Sequence, residues 1–468
     1  MLFQKAKRAI LSNKRSYFAC MFLIAVGVIM KTALGIAVSG LEKSTLEFYK
    51  LNNLADTYAT LQSMPADYVD TLEKIPGISS AESRYIAEMR AEVAGSEDTI
   101  TLKLIAVSSS ENAKLNTLDI TGEAPEHRGE ILVNPAFFQA HGLSPGDAVS
   151  IMSRGKEYEF VLTGTAISPE YVYITKNISQ MLPDEAGFGI GYISADSMEL
   201  LTGYKGLANS VIFKREAGVS FDEVKLRLED SLSRFGLKEL FDKKDLPSYF
   251  FLDLEISSIR AMSSSMPTVF LLLAVAVLYL MLKRVIDQER TQIGTMKAFG
   301  YSNAQLIFHY LTYGAITGAI GGAAGTLLGY MLSGPYLEMF LKFFMLPPLE
   351  GGFDPKIILQ AMALAVCSGL LGAYAGARKI IKLAPAEAMR PESPKPVRFD
   401  IVKHMGVFKR LFSSRGSMSI RSIARNPVRS IFVVVSIMFS FGIITIVGSF
   451  SGLIDKMIFS QLEDIQHY

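Results

Sequence analysis

The 468-residue sequence contains no tryptophan, two cysteines and five histidines. Cys20 and Cys367 both lie inside long apolar runs, so the polar parts of the chain have no disulfide and must fold around an ordinary hydrophobic core. The histidines are not spaced like metal ligands, and no serine–histidine–acid arrangement is defensible. The sequence therefore predicts neither a catalytic site nor a metal site.

An excess of one charge is also missing. The formal net charge is +2, so no basic field favours a nucleic-acid partner. A phosphate-binding loop is missing as well, because Gly155 and Lys156 lack the upstream glycine that such a loop requires. ATP is therefore not expected to bind to this chain.

Long apolar runs are what the sequence has in quantity. Half of the residues are hydrophobic, and they are concentrated in runs of about 20 residues, the length that crosses a bilayer. We interpret five runs as transmembrane helices. In the absence of tryptophan, we expect Tyr17, Tyr279 and Tyr330 to lie at the membrane interface. The five runs are residues 17–38, 266–282, 307–332, 357–377 and 430–450.

The basic residues predict the orientation of these spans. Lysine and arginine are concentrated before residue 17 and between residues 378 and 429. Because basic loops stay in the cytoplasm, the amino terminus is predicted to be cytoplasmic. The connecting segments then alternate without conflict: 40–260 outside, 283–306 inside, 333–356 outside and 378–429 inside.

The end of the sequence repeats its beginning. RAILSN at residues 8–13 returns as RSIARN at 421–426, and SGL at 39–41 returns at 451–453. This pattern indicates a duplicated membrane module, so we expect the chain to be a fragment of a longer protein. The predicted segments are 1–40 (amphipathic helix and first span), 41–262 (extracytoplasmic domain), 263–385 (three spans), 386–416 (cytoplasmic linker) and 417–468 (start of the second repeat, with a fifth span).

Residues 41–262 mix strand and helix patterns. The predicted fold class is therefore an α-helical membrane protein with an α+β extracytoplasmic domain. Two lobes are expected, one of βα units and one an all-β insertion around 95–195. A capping-box pattern from Ser220 to Glu223 predicts the start of a helix.

The predicted cytoplasmic segment 283–306 contains its own helix, from about 287 to 299. The helix is expected to stop at Gly300, a residue suited to a left-handed cap. Ser302 and Gln305 form a second capping-box pattern that restarts the helix into the next span. The sequence therefore predicts a short helix between two spans.

Glycines recur at four-residue spacing in the third and fourth spans. Such spacing lets helix backbones approach closely in lipid. Tight helix packing is the simpler interpretation, and a sliding or gating surface is the alternative. The glycines are Gly314, Gly318, Gly321, Gly322, Gly325, Gly329, Gly372 and Gly376.

Five segments together resemble FtsX-like and MacB-type ABC transporter permeases. QERTQIGTMKAFG at 288–300 is similar to the family's signature loop, and LAPAEAMR at 383–390 is similar to the stretch after its last span. Three segments resemble the external core domain of MacB-type transporters: IPGISSAE at 75–82, GEILV at 129–133 and GLSPGD at 142–147. Their order and their placement relative to the spans make the combination specific.

The resemblance implies a permease subunit of the bacterial inner membrane that transmits the motion of a separate cytosolic ATPase dimer to its external domain. It also implies that the chain is not an enzyme, and that ATP and Mg²⁺ bind to the partner. Gln292 departs from the family, which usually has a glutamate there. Ile293 and Met296 are expected to seat the helix in a partner's groove or against the bilayer. The residues assigned to ATPase coupling are Asp287, Glu289, Arg290, Gln292, Ile293, Gly294, Lys297, Ala298 and Gly300.

The expected activity is export or extraction of an amphipathic substrate such as a lipoprotein, peptide or drug. The alternative is an ATPase-coupled membrane regulator that activates a cell-wall hydrolase. An ion-coupled secondary transporter is disfavoured, because the predicted spans are nearly free of charge. Other expected partners are membrane lipid, a second permease half in the same chain or another copy, and an extracytoplasmic adaptor or hydrolase.

Overall fold

The computed structural model describes residues 14–93, 100–107, 113–176, 183–347, 354–382 and 384–388, with single positions between 430 and 445. Most of the predicted amphipathic segment, the linker and the fifth span lie outside the described residues. The chain divides into two compact units. The first comprises Met1–Val26, Val269–Ala323 and Met362–Tyr468, and the second comprises Gly27–Thr268 and Ala324–Ala361.

The helices of the described residues are, in chain order, α1 Lys14–Leu51, α2 Val69–Leu72, α3 Pro135–Ala140, α4 Ala195–Thr202, α5 Phe221–Ser233, α6 Pro247–Gln288, α7 Arg290–Ala298, α8 Asn303–Phe343, α9 Pro355–Ala377 and α10 Pro385–Ala388. The strands are β1 Thr57–Pro65, β2 Ile78–Arg84, β3 Ile86–Val93, β4 Ile100–Val107, β5 Asp119–Gly122, β6 Glu130–Val133, β7 Ala148–Ser153, β8 Lys156–Ile167, β9 Phe188–Ser194, β10 Leu207–Arg215 and β11 Leu237–Asp242.

Four helices of the described part of the chain, α1, α6, α8 and α9, are long and apolar enough to cross a membrane. They coincide with the first four predicted spans. Three of them extend far beyond the apolar runs, since polar residues continue the helix at each end. The helix α6, for example, has 42 residues, whereas the predicted run covered only 266–282.

A four-stranded antiparallel sheet forms one lobe of the α+β domain, which lies in the second unit. Its strand order is β11-β1-β10-β2. The helix α5 packs on it through Val224, Leu228 and Leu232, which are fully buried at four-residue spacing. The predicted capping box is confirmed, because the Glu223 side chain accepts a hydrogen bond of 3.1 Å from the Ser220 backbone N–H.

The other lobe is a seven-stranded mixed sheet in the order β5-β8-β6-β9-β4-β3-β7. Two neighbouring pairs are parallel, β4 with β9 and β6 with β8. The expectation of an all-β insertion from about residue 95 is wrong in two respects. The lobe begins at Ile86, because β3 pairs with β4 and β7. It also contains α3, which Pro135 opens at a first-turn position that needs no N–H donor.

A buried ion pair joins the two sheets. Arg84, at the end of β2, donates to both carboxylate oxygens of Glu170, which follows β8, at 2.6 and 2.8 Å. Asn116 donates its side-chain N–H to the same carboxylate at 2.9 Å. Ser248, at the start of α6, donates its hydroxyl to the Glu170 carbonyl at 2.7 Å. Glu170 therefore connects both sheets with the beginning of α6.

Both members of this pair stay ionised. Burial alone would raise the pKa of the Glu170 carboxyl, but the Arg84 guanidinium, together with a hydrogen bond from Tyr171 and the charge of Lys103, outweighs this effect and lowers the pKa. Burial likewise opposes the charge on Arg84, and the Glu170 carboxylate outweighs it and raises the pKa of Arg84. The two side chains are only 10% and 5% exposed, so water screens their attraction little.

Candidate functional site

The segment between α6 and α8 forms the predicted short helix. The chain leaves α6 at Glu289, whose backbone breaks the helix, and α7 follows directly. Gly300 has a φ of +88°, the left-handed conformation expected of a helix stop. The Gln305 side chain accepts from the Ser302 backbone N–H at 2.9 Å, and the Gln305 backbone N–H donates to the Ser302 hydroxyl at 3.2 Å. The predicted helix stop at Gly300 and the predicted capping box of Ser302 and Gln305 are therefore both confirmed.

The inner face of α7 packs within the first unit. Ile293 is fully buried in a cluster that includes Leu282, Leu306 and Tyr310. Met296 is half-buried against the same cluster. The expectation that Ile293 would seat the helix in a partner's groove or against the bilayer is therefore wrong, because the chain's own helices already cover this side chain.

Polar contacts hold α7 and its entry at several points. Tyr310 of α8 donates its hydroxyl to a carboxylate oxygen of Glu289 at 2.7 Å. Lys297 donates to the backbone carbonyl of Ile380 at 2.6 Å, and burial lowers the pKa of this lysine. Asp287 forms an ion pair with Lys379. Three charged residues assigned to partner contacts thus have partners within the chain.

The helix α10 packs directly on α7. A Cβ atom built on Gly294 would lie 2.6 Å from the Ala388 Cβ and 3.4 Å from the Pro385 carbonyl oxygen, so only glycine fits. Ala388 is buried. The segment 288–300 therefore contacts Pro385 and Ala388 of the segment after α9, although the two segments were singled out separately in the sequence. Nothing in the spacing of the two segments indicated it.

The outer face of α7 and its carboxyl end remain exposed. Gln292, Ala298 and Gly300 lie on this surface, and Arg290 is half-buried. Two large aromatic side chains flank Gly300 and are also exposed. Phe299 is 81% exposed and Tyr301 is 43% exposed. We call Gln292, Ala298, Phe299, Gly300 and Tyr301 the exposed cap.

Sequence reasoning did not assign Phe299 or Tyr301 a role. The available signal was an aromatic residue on each side of a helix-stopping glycine. Because the left-handed Gly300 reverses the chain, the two neighbours are turned away from the core that α7 covers. Exposed aromatic residues in an otherwise polar loop are typical of contact surfaces.

The glycines of the spans lie at close helix contacts, in two rows with different neighbours. A Cβ on Gly318 would lie 2.6 Å from the Ala365 carbonyl oxygen of α9, and one on Gly321 would lie 2.8 Å from the Met21 carbonyl oxygen of α1. The α9-facing glycines are Gly314, Gly318 and Gly322; the α1-facing ones are Gly321 and Gly329; Gly372 and Gly376 of α9 face α6. Gly325 is buried.

Tyr17 does not lie on the outer surface of the helices, where an interfacial tyrosine is expected. It is 1% exposed and stacks with Tyr313 of α8 at a ring-centroid distance of 6.2 Å. The helix places Tyr17 on the side of α1 that packs against the first unit's core, which periodicity alone did not resolve. Tyr330, in contrast, is 45% exposed.

Within the described residues, four helices that are long and apolar enough to cross a membrane and a two-sheet domain define a multi-pass membrane protein with a large α+β extramembrane domain. Its membrane segment carries an FtsX-like domain: residues 264–385 match the family model described as FtsX-like permease C-terminal. The resemblance stated from residues 288–300 is thereby confirmed. No curated protein matches the chain. Among the described residues, no group of three or more His, Cys, Asp or Glu side chains is arranged to hold a metal ion.

Solved structures that are similar to parts of this chain include regions or domains of three other proteins. The periplasmic region of MacB from Actinobacillus actinomycetemcomitans is 14% identical over 45% of this chain and 97% of that chain, with a TM-score of 0.29. The extracellular domain of the noncanonic ABC-type transporter YknZ from Gram-positive bacteria is 14% identical over 40% and 98%, with a TM-score of 0.26. A permease-protein domain from Porphyromonas gingivalis is 12% identical over 39% and 84%, with a TM-score of 0.25.

Proposed function

We propose that this chain is the permease subunit of an ABC transporter, and that a separate cytosolic ATPase dimer drives it through the exposed cap. ATP and Mg²⁺ bind to the ATPase, and this chain converts the ATPase's motion into movement of its α+β domain. The transported or extracted molecule is amphipathic. The membrane is the bacterial inner membrane, with the amino terminus and α7 on the cytosolic side.

One observation carries the proposal. The loop that matches the FtsX-like model is fixed by its own chain on the inside and presents aromatic surface on the outside. Ile293 and Gly294 hold α7 in place, whereas Phe299 projects from it. A rigid support with a protruding aromatic anchor suits a surface that must transmit force, because a loosely held helix would bend instead.

The route from the loop runs through α6. Pro247–Gln288 is a single helix, so the residue before the α7 break and Ser248, which contacts Glu170, belong to the same element. In our proposal, a displacement of α7 moves α6, and α6 acts on the sheets through the Glu170 contact. The two glycine rows of α8 set the helix contacts along which such a displacement occurs.

The experiment is ATPase coupling in the complex of the full chain with its ATPase, purified in lipid nanodiscs. Phe299→Ala should lower the permease-dependent part of the ATPase rate about tenfold or more, as expected for an aromatic anchor worth at least 1.4 kcal/mol. Phe18→Ala is the matched control, since Phe18 is also exposed, at 69%, but lies on α1. Equal rates for both variants would contradict the proposal.

The same complex separates transport from regulation. Stimulation of the ATPase by an amphipathic compound supports the transport form of the proposal. Activation of a cell-wall hydrolase by the intact complex, without such stimulation, would replace it with the regulatory form. Both outcomes depend on the same exposed cap, so the Phe299→Ala variant should weaken either one about tenfold or more.

A further inference from the structure

We infer that a cavity between the two sheets of the α+β domain binds a lipophilic cation. The cavity has a volume of about 650 Å³ and lies wholly within the second unit. This volume falls within the range of about 300–1,000 Å³ that is typical of small-molecule sites. It is lined by β2 and β10 of the four-stranded sheet and by β4, β5 and β9 of the seven-stranded sheet. We call it the inter-sheet cavity.

The walls of the inter-sheet cavity combine aliphatic and polar side chains. Ile105 and Ile212 line it from the two sheets, and Leu115, Leu118 and Ile120 line it from the connecting segment and from β5. Ile105, Leu115 and Ile212 are each 2% exposed or less, so fixed core packing shapes these walls. Apolar walls of this kind gain free energy when they cover an apolar ligand.

The charges of the cavity favour a cation. Three carboxylates line it, those of Glu82, Glu126 and Asp196, whereas Arg84 is the cationic side chain among the lining residues. Both terminal amino groups of Arg84 are hydrogen-bonded to the Glu170 carboxylate, so its charge is already compensated. The exposed carboxylates of Glu126 and Asp196 give this wall a negative charge.

The three carboxylates differ in how they are held. Glu82 accepts hydrogen bonds from the backbone N–H groups of Lys114 and Leu115 at 3.1 and 3.0 Å, which fixes its carboxylate beside the apolar wall. Glu126 and Asp196 are exposed, and the Arg128 guanidinium lies 3.8 Å from the Asp196 carboxylate with both side chains well solvated. Water screens that contact, so Asp196 keeps most of its charge for a ligand.

This inference deepens the proposed function, on which it rests for the consequence of binding, because it locates an amphipathic ligand and specifies its charge. Binding itself needs no ATPase. The two proposals can therefore fail separately. If the chain couples to its ATPase but does not bind lipophilic cations, only the cavity assignment is wrong. If it binds lipophilic cations but does not couple to an ATPase, only the coupling assignment is wrong.

The experiment measures the binding of radiolabelled tetraphenylphosphonium to the full chain by equilibrium dialysis. The chain is held in nanodiscs of zwitterionic lipid, and the binding to empty nanodiscs is subtracted. Saturable binding at one site per chain is expected. Tetraphenylborate, which has nearly the same shape and the opposite charge, is dialysed separately and should show no saturable binding. Equal binding of the two ions would overturn the inference, because it would indicate partition into an apolar surface without charge selection.

Variants tie the binding to the inter-sheet cavity. Ala195→Trp, which fills space at an exposed lining position, should weaken tetraphenylphosphonium binding about tenfold or more, with Ala140→Trp on α3 as the matched control. The double variant Glu126→Gln/Asp196→Asn should weaken it similarly. Its control is Glu157→Gln/Glu239→Gln, which removes two exposed carboxylates away from the cavity. Unchanged binding in both test variants would also overturn the inference.

Discussion

Two polar contacts in different units of this protein use carboxylates in opposite ways. In the α+β domain, Glu170 is enclosed. Its carboxylate accepts hydrogen bonds from Arg84 and Asn116, and its backbone carbonyl accepts one from Ser248. Its side chain is only 5% exposed. In the first unit, Glu289 has Tyr310 as a partner at the edge of a segment whose outer side is exposed. The enclosed carboxylate joins elements of the domain, whereas Glu289 fixes one side of α7 and leaves the other side open.

The difference predicts where substitutions will affect stability most. Removing one member of a buried ion pair leaves an uncompensated charge in a low-dielectric interior, which is strongly destabilising. Truncating Phe299 of the exposed cap removes no buried packing, because this side chain is 81% exposed, so it should leave stability nearly unchanged. The comparison therefore predicts a graded set of effects on stability, with the exposed cap at the lower end.

The largest effect is expected for Arg84→Ala. It leaves the Glu170 carboxylate buried without its guanidinium and should cost about 3–5 kcal/mol of local stability. The measurement is hydrogen exchange of the β2 and β10 amides in the full chain, whose protection reports opening of that sheet.

The double variant Arg84→Met/Glu170→Leu is the control for that prediction. Removing both charges together relieves the desolvation cost, so much of the lost protection should return. If the double variant opened as readily as Arg84→Ala, the pair would act by shape and the electrostatic account of the enclosed carboxylate would be wrong.

Acid should weaken the same contact. The folded-state pKa of Glu170 is lowered, so its stabilisation is fully present above the unfolded value of about 4.3 and is lost as pH falls through the lower folded value. The protection difference between the natural chain and Arg84→Met/Glu170→Leu should therefore shrink below about pH 4. A difference that stayed constant down to pH 2 would show that Glu170 is not linked to protonation.

An intermediate effect is expected at the helix contacts. A Cβ on Gly318 meets the Ala365 carbonyl oxygen at 2.6 Å, so Gly318→Ala should destabilise the packing of α8 on α9 by about 1–3 kcal/mol. Gly334→Ala on the same helix is the matched control, because a Cβ there meets nothing within 4 Å. Thermal unfolding in nanodiscs compares the two. Equal midpoints would mean that α8 shifts freely to accommodate the methyl group.

A smaller effect is expected for Tyr310→Phe, which removes the hydrogen bond to Glu289. The loss should be about 1 kcal/mol, less than for a fully buried hydrogen bond to a carboxylate, because water reaches this acceptor in part. Hydrogen exchange of the α7 amides measures it, with Tyr301→Phe at the exposed cap as the control. Equally fast exchange of the α7 amides in both variants would contradict the assignment of Tyr310 as the residue that fixes the start of α7.

The smallest effect on stability is expected for Phe299→Ala. This side chain is 81% exposed, so its loss should change the stability of the first unit by no more than about 0.5 kcal/mol. The thermal unfolding midpoint of the chain alone is the measurement. A drop comparable with that of Gly318→Ala would place Phe299 in the core and contradict the division between the fixed and exposed sides of α7.

Much of this arrangement was predictable from local sequence. Apolar runs located the first four spans, and Gly300 with the Ser302 and Gln305 pair placed the ends of the helices around α7. These signals are local, since each depends on residues within a few positions. The Arg84–Glu170 pair was not predictable, because its members are 86 positions apart and meet only when the two sheets are formed.

The sequence also could not predict which face of α7 is buried. Ile293 was expected to face a partner, yet it is buried, because α8 and the segment after α9 approach α7 from positions that no periodicity encodes. The same long-range packing decides that Phe299 and not Ile293 is the outward apolar residue. Interfaces within a chain and interfaces with a partner use the same residue types, so only the structure separates them.

The central claim is that the exposed cap lies in the cytosol, where an ATPase can reach it. The direct test is labelling of Phe299→Cys by a membrane-impermeant maleimide, in a chain carrying Cys20→Ala and Cys367→Ser, with Glu126→Cys of the α+β domain as the opposite control. The account predicts that position 126 is labelled in intact cells and position 299 only after permeabilisation. Labelling of position 299 in intact cells would contradict it.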